Sequence, residues 1–301
     1  PGTEMSLHMV FTGNPGTGKT SVARILGKIF GAMGILKKGH LVETDRSGLV
    51  AEYAGQTGPR TNAKINEALD GVLFVDEAYS LVVHDSQDAY GDEAVQALLK
   101  RSEDDRARLV IVLAGYPEEM HKLLKCNPGL SSRFNRVLHF DDYSPLELAR
   151  IFASLCERNH YKLAAETRAK LMLGGTELHR RRDKRFGNGR AVRNLFEHAV
   201  RRMANRIADI AKLDQEQLMR LEEADIEFTE LPAEWLQEFE KSAPKFRLAC
   251  PSCSHTSDVP GKYLGQKVRC PKCKKDFVAE WGEVQVDDVQ NSEKSSILRE
   301  P

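Results

Sequence analysis

Five short runs in the first half of the chain are apolar and strand-like: Met9-Val10-Phe11, Leu41-Val42-Glu43, Gly71–Val75, Leu109–Gly115 and Val137-Leu138-His139-Phe140. Between them apolar residues recur at helical spacing: Val22, Ile25, Leu26, Ile29, Phe30 and Met33 in one segment, Thr61 to Leu69 in a second, and Val95, Leu98 and Leu99 in a third. Ser47–Gly58 reads as a short helix breaking into a glycine-containing loop, and 84–91 as a polar loop. Strands that are apolar along their whole length, alternating with helices, predict a parallel sheet covered on both faces. From Ser144 the strands stop. Leu148, Ile151, Phe152 and Leu155 mark one helix, and Val192, Leu195, Phe196, Ala199, Val200, Met203, Ile207 and Ile210 mark a long one. The pattern predicts an α/β core over 1–143, a small helical domain over 144–230, a linker over 231–245, a compact cysteine-bearing module over 246–281 and a disordered tail over 282–301.

Composition narrows the class. The chain has 301 residues, 41% apolar and 29% charged, and a formal net charge of zero. That fits a soluble globular protein of two or three domains, with no global charge to draw it to nucleic acid or to an anionic membrane. No apolar run approaches the roughly 20 residues that a spanning helix needs. The chain opens on Pro1 and reaches its first strand within ten residues, so sequence upstream is expected to be missing. Four of the six cysteines are paired by spacing, and Cys126 and Cys156 stand alone. This usage predicts a metal site in a reducing cytoplasm rather than a disulfide framework.

The chemistry starts after the first strand. Gly13-Asn14-Pro15-Gly16-Thr17-Gly18-Lys19-Thr20 fits the phosphate-binding pattern G-x-x-x-x-G-K-[ST], between a strand and a helix. Loop N–H groups and the helix N-terminus would hold phosphate there. Lys19 would reach the β- and γ-phosphates, and the Thr20 hydroxyl would ligate Mg²⁺. Asp76 and Glu77 end the strand Gly71–Val75. Asp76 would hold Mg²⁺, which requires oxygen ligands, and Glu77 would polarise the attacking water.

Near the C-terminus, Cys250-Pro-Ser-Cys253 and Cys270-Pro-Lys-Cys273 are separated by sixteen residues, the spacing of a zinc ribbon. Four thiolates saturate Zn²⁺, so Cys250, Cys253, Cys270 and Cys273 predict a closed, structural site. The rival readings are redox pairs or disulfides, or His255 replacing one ligand. So small a module needs the metal to fold, around Tyr263, Leu264, Val268, Phe277 and Val278. Between Lys245 and Trp281 eight basic side chains face three acidic ones, a net +5, which suits nucleic acid or protein docking.

Several motifs in order resemble AAA+ ATPases of the CbbX/SpoVK (CbxX/CfqX) type: Gly13–Thr20, Tyr53-Ala54-Gly55, Leu73–Leu81, Tyr90–Ala94, Ala114-Gly115-Tyr116 and Asn127–Phe134. The resemblance covers about residues 5–230. It implies a P-loop sheet core with a helical lid, and a hexameric ring that hydrolyses ATP between subunits and pulls a protein client through its pore. By position it implies that Arg133 is the arginine finger, with Arg136 a second candidate. It makes Arg190 the lid arginine that touches ATP, with Arg193 competing, and Tyr53 the pore-loop aromatic. The family's polar sensor after the Leu109–Leu113 strand is replaced here by Ala-Gly-Tyr-Pro, leaving that role to Tyr116 or to none. The run Arg180-Arg181-Arg182 with Lys184 and Arg185 reads as a solvated loop. The expected function is an ATP-driven protein remodeller with a zinc-ribbon targeting module. The alternative is a nucleic-acid-associated ATPase recruited by that ribbon.

Overall fold

The computed structural model describes residues 6–82, 89–208, 210, 212, 214–232, 234–235 and 244–285. Most of the 84–91 loop, much of the 231–245 linker and nearly all of the 282–301 tail lie outside the described residues. The chain divides into two compact units, 1–142 and 143–301.

The first unit runs β1 (Met9–Gly13), α1 (Lys19–Ala32), β2 (Leu41–Thr44), α2 (Arg46–Leu49), α3 (Thr57–Glu67), β3 (Gly71–Val75), α4 (Ala89–Asp104), β4 (Leu109–Gly115), α5 (Pro117–Cys126), α6 (Pro128–Arg133) and β5 (Arg136–Phe140). The five strands form one parallel sheet in the order β2-β3-β4-β1-β5. Alternate side chains supply two separate cores. Val10, Leu73, Val75, Leu109, Ile111 and Leu113 pack under α3, α4, α5 and α6. Met9, Phe11, Val72, Phe74, Val110 and Val112 pack under α1. Burial on both faces is why β1, β3 and β4 read as unbroken apolar runs; the edge strands β2 and β5 are only partly covered, with Val137 and Leu138 exposed.

The apolar stripe of α1 is only partly used. Ala23 and Gly27 are its buried positions, while Ile25, Ile29 and Met33 are 55%, 44% and 67% exposed. A Cβ on Gly27 would lie 2.6 Å from the Gly39 carbonyl oxygen, in the segment before β2, and 3.3 Å from Val72 Cγ2 of the sheet. Backbone closeness, rather than side-chain size, sets this contact. Helix α3 begins at Thr57, four residues before the predicted start, and α4 already includes residues 89–91.

His8 ties the first unit together. It is 1% exposed; its Nε2 donates to the Ser102 carbonyl (2.8 Å) and its Nδ1 accepts from the Ile111 N–H (3.0 Å). Those bonds use a neutral ring, and burial holds its pKa below the ordinary 6.5. Below pH 6.5 the unfolded chain takes up a proton that the folded His8 refuses, so stability is lost as the pH falls. Thermal melts from pH 7.5 to 5 should show wild type losing more stability than His8→Gln, by up to about 1.4 kcal/mol per pH unit. Equal slopes would remove His8 from the acid response.

The second unit runs α7 (Pro145–Arg158), β6 (Lys162–Leu163), α8 (Ala165–Arg180), α9 (Gly189–Ile207), α10 (Gln215–Leu218), β7 (Arg220–Leu221), β8 (Lys245–Ala249), β9 (Thr256–Pro260), β10 (Lys267–Arg269), β11 (Asp276–Val278) and β12 (Glu283–Gln285). The start of α7 was legible. Ser144 and Glu147 form a reciprocal capping box, with Pro145 at the first helical position. The expectation that strands stop at Ser144 is corrected by the parallel pair β6–β7, which joins two segments distant in sequence. The long helix ends at Ile207, short of Ile210. The cysteine module folds as the antiparallel sheet β12-β8-β9 and the hairpin β10-β11. Its predicted core is also corrected. Leu264 is buried, but Tyr263 and Val278 are 40% and 52% exposed, and Phe246, Leu248 and Ala279 fill the interior instead.

Candidate functional site

The phosphate loop leaves the carboxyl end of β1, and Asp76-Glu77 leaves the carboxyl end of β3, with β4 between them. Strand spacing places the two ends about 10 Å apart on one edge of the sheet, where open α/β sheets bind ligands. Gly13, Gly16 and Gly18 have φ of 150°, 72° and 93°. A Cβ on Gly13 would also lie 2.4 Å from the Phe140 carbonyl oxygen. Thr17 is buried and donates to the Asn14 carbonyl (2.8 Å), closing the loop on itself. Asn14 donates to both Asp142 carboxylate oxygens at 2.9 and 3.1 Å, and Thr12 meets His139 Nδ1 at 3.0 Å. Lys19 Nζ reaches back over the loop to the Gly13 and Asn14 carbonyls, both at 2.8 Å. Pro15 lies in the middle of this turn and Thr20 in the first turn of α1. That turn has no side-chain cap and no acidic residue, so the positive end of the helix is left for an anion. These features fit a bound polyphosphate.

Asp76 extends β3 by one hydrogen bond, from its N–H to the Thr44 carbonyl (2.8 Å). Its Oδ1 accepts from the Glu77 N–H (3.0 Å). Glu77 has φ 47° and ψ 42°, a left-handed conformation that costs a non-glycine residue energy, and its carboxylate is exposed. The chain thus leaves the extended conformation at the second of the two consecutive carboxylates.

Tyr79, two residues on, was not singled out from the sequence. It lies 6.0 Å from the Tyr116 ring and accounts for the glycine that ends β4. A Cβ on Gly115 would stand 2.7 Å from Tyr79 Cδ1 and 2.8 Å from Met120 Sδ, so no larger side chain fits. Burial, with Glu77 and Tyr116 nearby, pushes the Tyr79 phenol up to about 12, so it stays a proton donor.

Arg133 is the last residue of α6. Its Nη1 donates to the Gly129 carbonyl (3.3 Å), and its Nε stands 3.7 Å from Glu103 Oε2. The next residue, Phe134, is buried against His8, with ring centroids 5.5 Å apart. Arg136 instead begins β5, in register with Met9. Tyr53 is 68% exposed on the loop between α2 and α3. The base of that loop is fixed by two fully buried threonines: the Ala51 N–H donates to Thr57 Oγ1 (3.0 Å), and Thr61 Oγ1 donates to the Leu49 carbonyl (3.0 Å). Gly55, at φ 75°, lets the tip turn into open space.

In the second unit Arg190 and Arg193 are both exposed near the start of α9. Asn188, the residue before α9, is fully buried at φ 47° and holds the turn. Its Oδ1 accepts from the Tyr143 N–H (2.8 Å), and its Nδ2 donates to the Phe186 carbonyl (3.1 Å). The basic run before it is exposed, as expected of a solvated loop, although Arg180 and Arg181 both bond Glu177, a 2%-exposed residue.

The four cysteines converge, with all sulfurs within 4.8 Å of one another. Cys250–Cys273 and Cys253–Cys270 are each 3.7 Å apart, Sγ to Sγ. A tetrahedral zinc with bonds of about 2.3 Å sets its sulfurs about 3.8 Å apart, whereas a disulfide needs about 2.05 Å. The two knuckles are built alike. The Ser254 N–H bonds the Cys250 carbonyl and the Lys274 N–H the Cys270 carbonyl, at 2.8 and 3.0 Å, and both residues adopt positive φ. N–H groups of Cys273 and Lys272 facing the Cys270 sulfur pull that thiol down to about 6, while at Cys253, against the pull of the His255 N–H, burial and the neighbouring sulfurs push the thiol up to about 11, so the four sulfurs do not ionise together without a cation among them.

A parallel sheet with a phosphate loop on one strand end and a paired carboxylate on another, followed in sequence by a helical unit, defines a P-loop ATPase with a lid. Residues 9–142 match the family model described as ATPase family associated with various cellular activities (AAA), and residues 144–234 match the AAA lid domain. The chain is 41% identical over 228 residues to stage V sporulation protein K of Bacillus subtilis, covering 75% of this chain and 70% of that protein. It is 40% identical over 225 residues to CbbX of Cereibacter sphaeroides, covering 73% and 72%. It is 43% identical over 201 residues to the chloroplastic ribulose bisphosphate carboxylase/oxygenase activase of Cyanidioschyzon merolae, covering 67% and 68%. The crystal structure of the FIGL-1 AAA domain in complex with ADP matches with a TM-score of 0.52 at 18% identity, over 78% of this chain and 77% of that one. The chain belongs to the AAA family of ATPases, in the group of stage V sporulation protein K and CbbX, and its activity is ATP hydrolysis. No described helix is long and apolar enough to cross a membrane.

Proposed function

We propose that this ATPase remodels a protein client in the cytoplasm, working as a hexameric ring that draws the client past Tyr53. Residues Gly13, Asn14, Pro15, Gly16, Thr17, Gly18, Lys19 and Thr20 hold the ATP phosphates, and Thr20 and Asp76 hold Mg²⁺. Bound Mg–ATP supplies the phosphoanhydride whose hydrolysis drives the work. Glu77 accepts a proton from the attacking water, Arg133 serves the site of the neighbouring subunit, and Arg190 contacts the nucleotide of its own subunit. Cys250, Cys253, Cys270 and Cys273 hold a structural zinc. The exposed apolar stripe Ile25, Ile29 and Met33 supports self-association, since such patches mark interaction surfaces.

The observation that carries the reading is the Tyr53 loop: an exposed aromatic on a base fixed by buried hydrogen bonds. A rigid base transmits force, and an exposed ring grips many sequences. Arg247 pairs with Asp258, and Lys267 and Arg269 pair with Asp276, so these three cations are engaged within the ribbon; the remaining positive charge is read as a protein-docking surface, with nucleic acid as the alternative.

The test is capture by Glu77→Gln with ATP from extracts of the source cell, followed by remodelling assays on the captured protein. Tyr53→Ala should weaken the grip by about 2 kcal/mol, roughly thirtyfold, while ATP hydrolysis stays within about twofold. Tyr53→Phe should keep the grip. Remodelling unchanged in Tyr53→Ala would end the threading reading.

A further inference from the structure

The cysteine module does not sit at the end of a tether. Phe246, Leu248, Leu264 and Ala279 belong to one apolar core with Leu148, Phe152, Leu171, Met172, Phe196 and Phe228 of the lid helices and the segment after them. The surface that joins the two is helix α8. Residues 171–175 are five consecutive buried positions, and none of 167–179 is exposed. A helix at the edge of a small domain keeps one wet face, whereas a helix covered all round belongs to an interior. One side of α8 packs on α7, and the turn Gly261–Tyr263 and strand β12 lie along it as well.

The contacts there are close and specific. A Cβ on Gly261 would lie 2.9 Å from the Ala169 Cβ. The Arg168 guanidinium lies 4.7 Å from the centroid of the Trp281 ring, and its Nη1 donates to the Glu280 carbonyl at 3.3 Å. Gly265 covers the Arg168 Nε, leaving 2.8 Å for a Cβ. Taking the module away would expose a stacked guanidinium and open the lid core.

We propose that the ribbon is an internal part of the ATPase lid, and that zinc at Cys250, Cys253, Cys270 and Cys273 sets the stability of α8. This rests on the zinc reading of those cysteines. The module buries too little apolar surface of its own to hold its shape, so the metal fixes the ribbon and the ribbon covers α8. Loss of zinc therefore loosens the lid rather than freeing an appendage. The ATPase of this chain becomes zinc-dependent through its lid.

The experiment uses the full chain. Zinc content is measured together with hydrogen exchange, read by mass spectrometry. Stripping the metal with a chelator under reducing conditions should speed exchange across 165–180 about tenfold, while 9–13, 71–75 and 109–115 stay protected. Gly261→Val keeps every cysteine and wedges the ribbon off Ala169. Trp281→Ala removes the surface under Arg168. Both should retain one zinc per chain and still loosen α8, which also decides the matter if the stripped chain aggregates. A chain that binds zinc, but whose α8 protection is unchanged by stripping and by both variants, would overturn the proposal and leave the zinc reading standing. A chain with no zinc on the four cysteines would overturn both.

Discussion

Glu77→Gln is expected to bind ATP normally and to hydrolyse it about 10²–10⁴-fold more slowly, the usual contribution of a positioned general base. The substitution is nearly isosteric. It keeps the backbone bond from residue 77 to Asp76 Oδ1 and leaves Thr20, Asp76 and the loop 13–20 in place. Only the proton acceptor is removed. Steady-state hydrolysis beside equilibrium nucleotide binding separates the two effects. Lys19→Ala supplies the contrast: it should lose binding itself, because the ammonium that now bonds the Gly13 and Asn14 carbonyls is the loop's own cation. Hydrolysis by Glu77→Gln within about threefold of wild type would move the base elsewhere.

Arg133→Ala should cost more, about 10³–10⁵ in turnover, the range for an arginine that stabilises phosphoryl transfer. Its contacts in the monomer are weak. One carbonyl lies at 3.3 Å and Glu103 at 3.7 Å, so the guanidinium can leave them for a stronger anion. The fold should survive, because the neighbouring Phe134 and His8 hold the end of α6. The decisive form is a mixture. If Arg133 serves the next subunit, Arg133→Ala mixed with Glu77→Gln places an intact Glu77 opposite an intact Arg133 at some interfaces, and hydrolysis returns although neither variant is active alone. Arg133→Lys should not restore turnover, since an ammonium lacks the planar fork. Failure of the mixture to recover would place Arg133 in its own subunit's structure.

Parts of this site were legible because their chemistry is local. The phosphate loop needs glycines at fixed offsets for its backbone angles, and each cysteine knuckle needs its two thiols three apart. The strands 71–75 and 109–115 were legible because both faces of the sheet are covered. Other parts had no local signal. Helices α5 and α6 are too short to show a period, and α8 is covered along most of its length, so its apolar residues follow no stripe. His8 looked like part of a leading segment, yet its two ring bonds reach residues about a hundred positions away. Tyr79 lay inside a recognised motif, but its packing on Gly115 shows only in three dimensions.

The sequence by itself determined the P-loop sheet, the positions of the phosphate loop and the paired carboxylates, and the four-thiol cluster, because each depends on period or spacing along a continuous stretch of chain. Only the tertiary structure decided which side of α1 faces solvent, how Asn188 holds the turn into α9, and that the ribbon shares its core with the lid. Those outcomes rest on contacts between segments far apart in sequence. Burial there is set by whatever surface arrives to cover a residue, and the pattern around the residue carries no record of it.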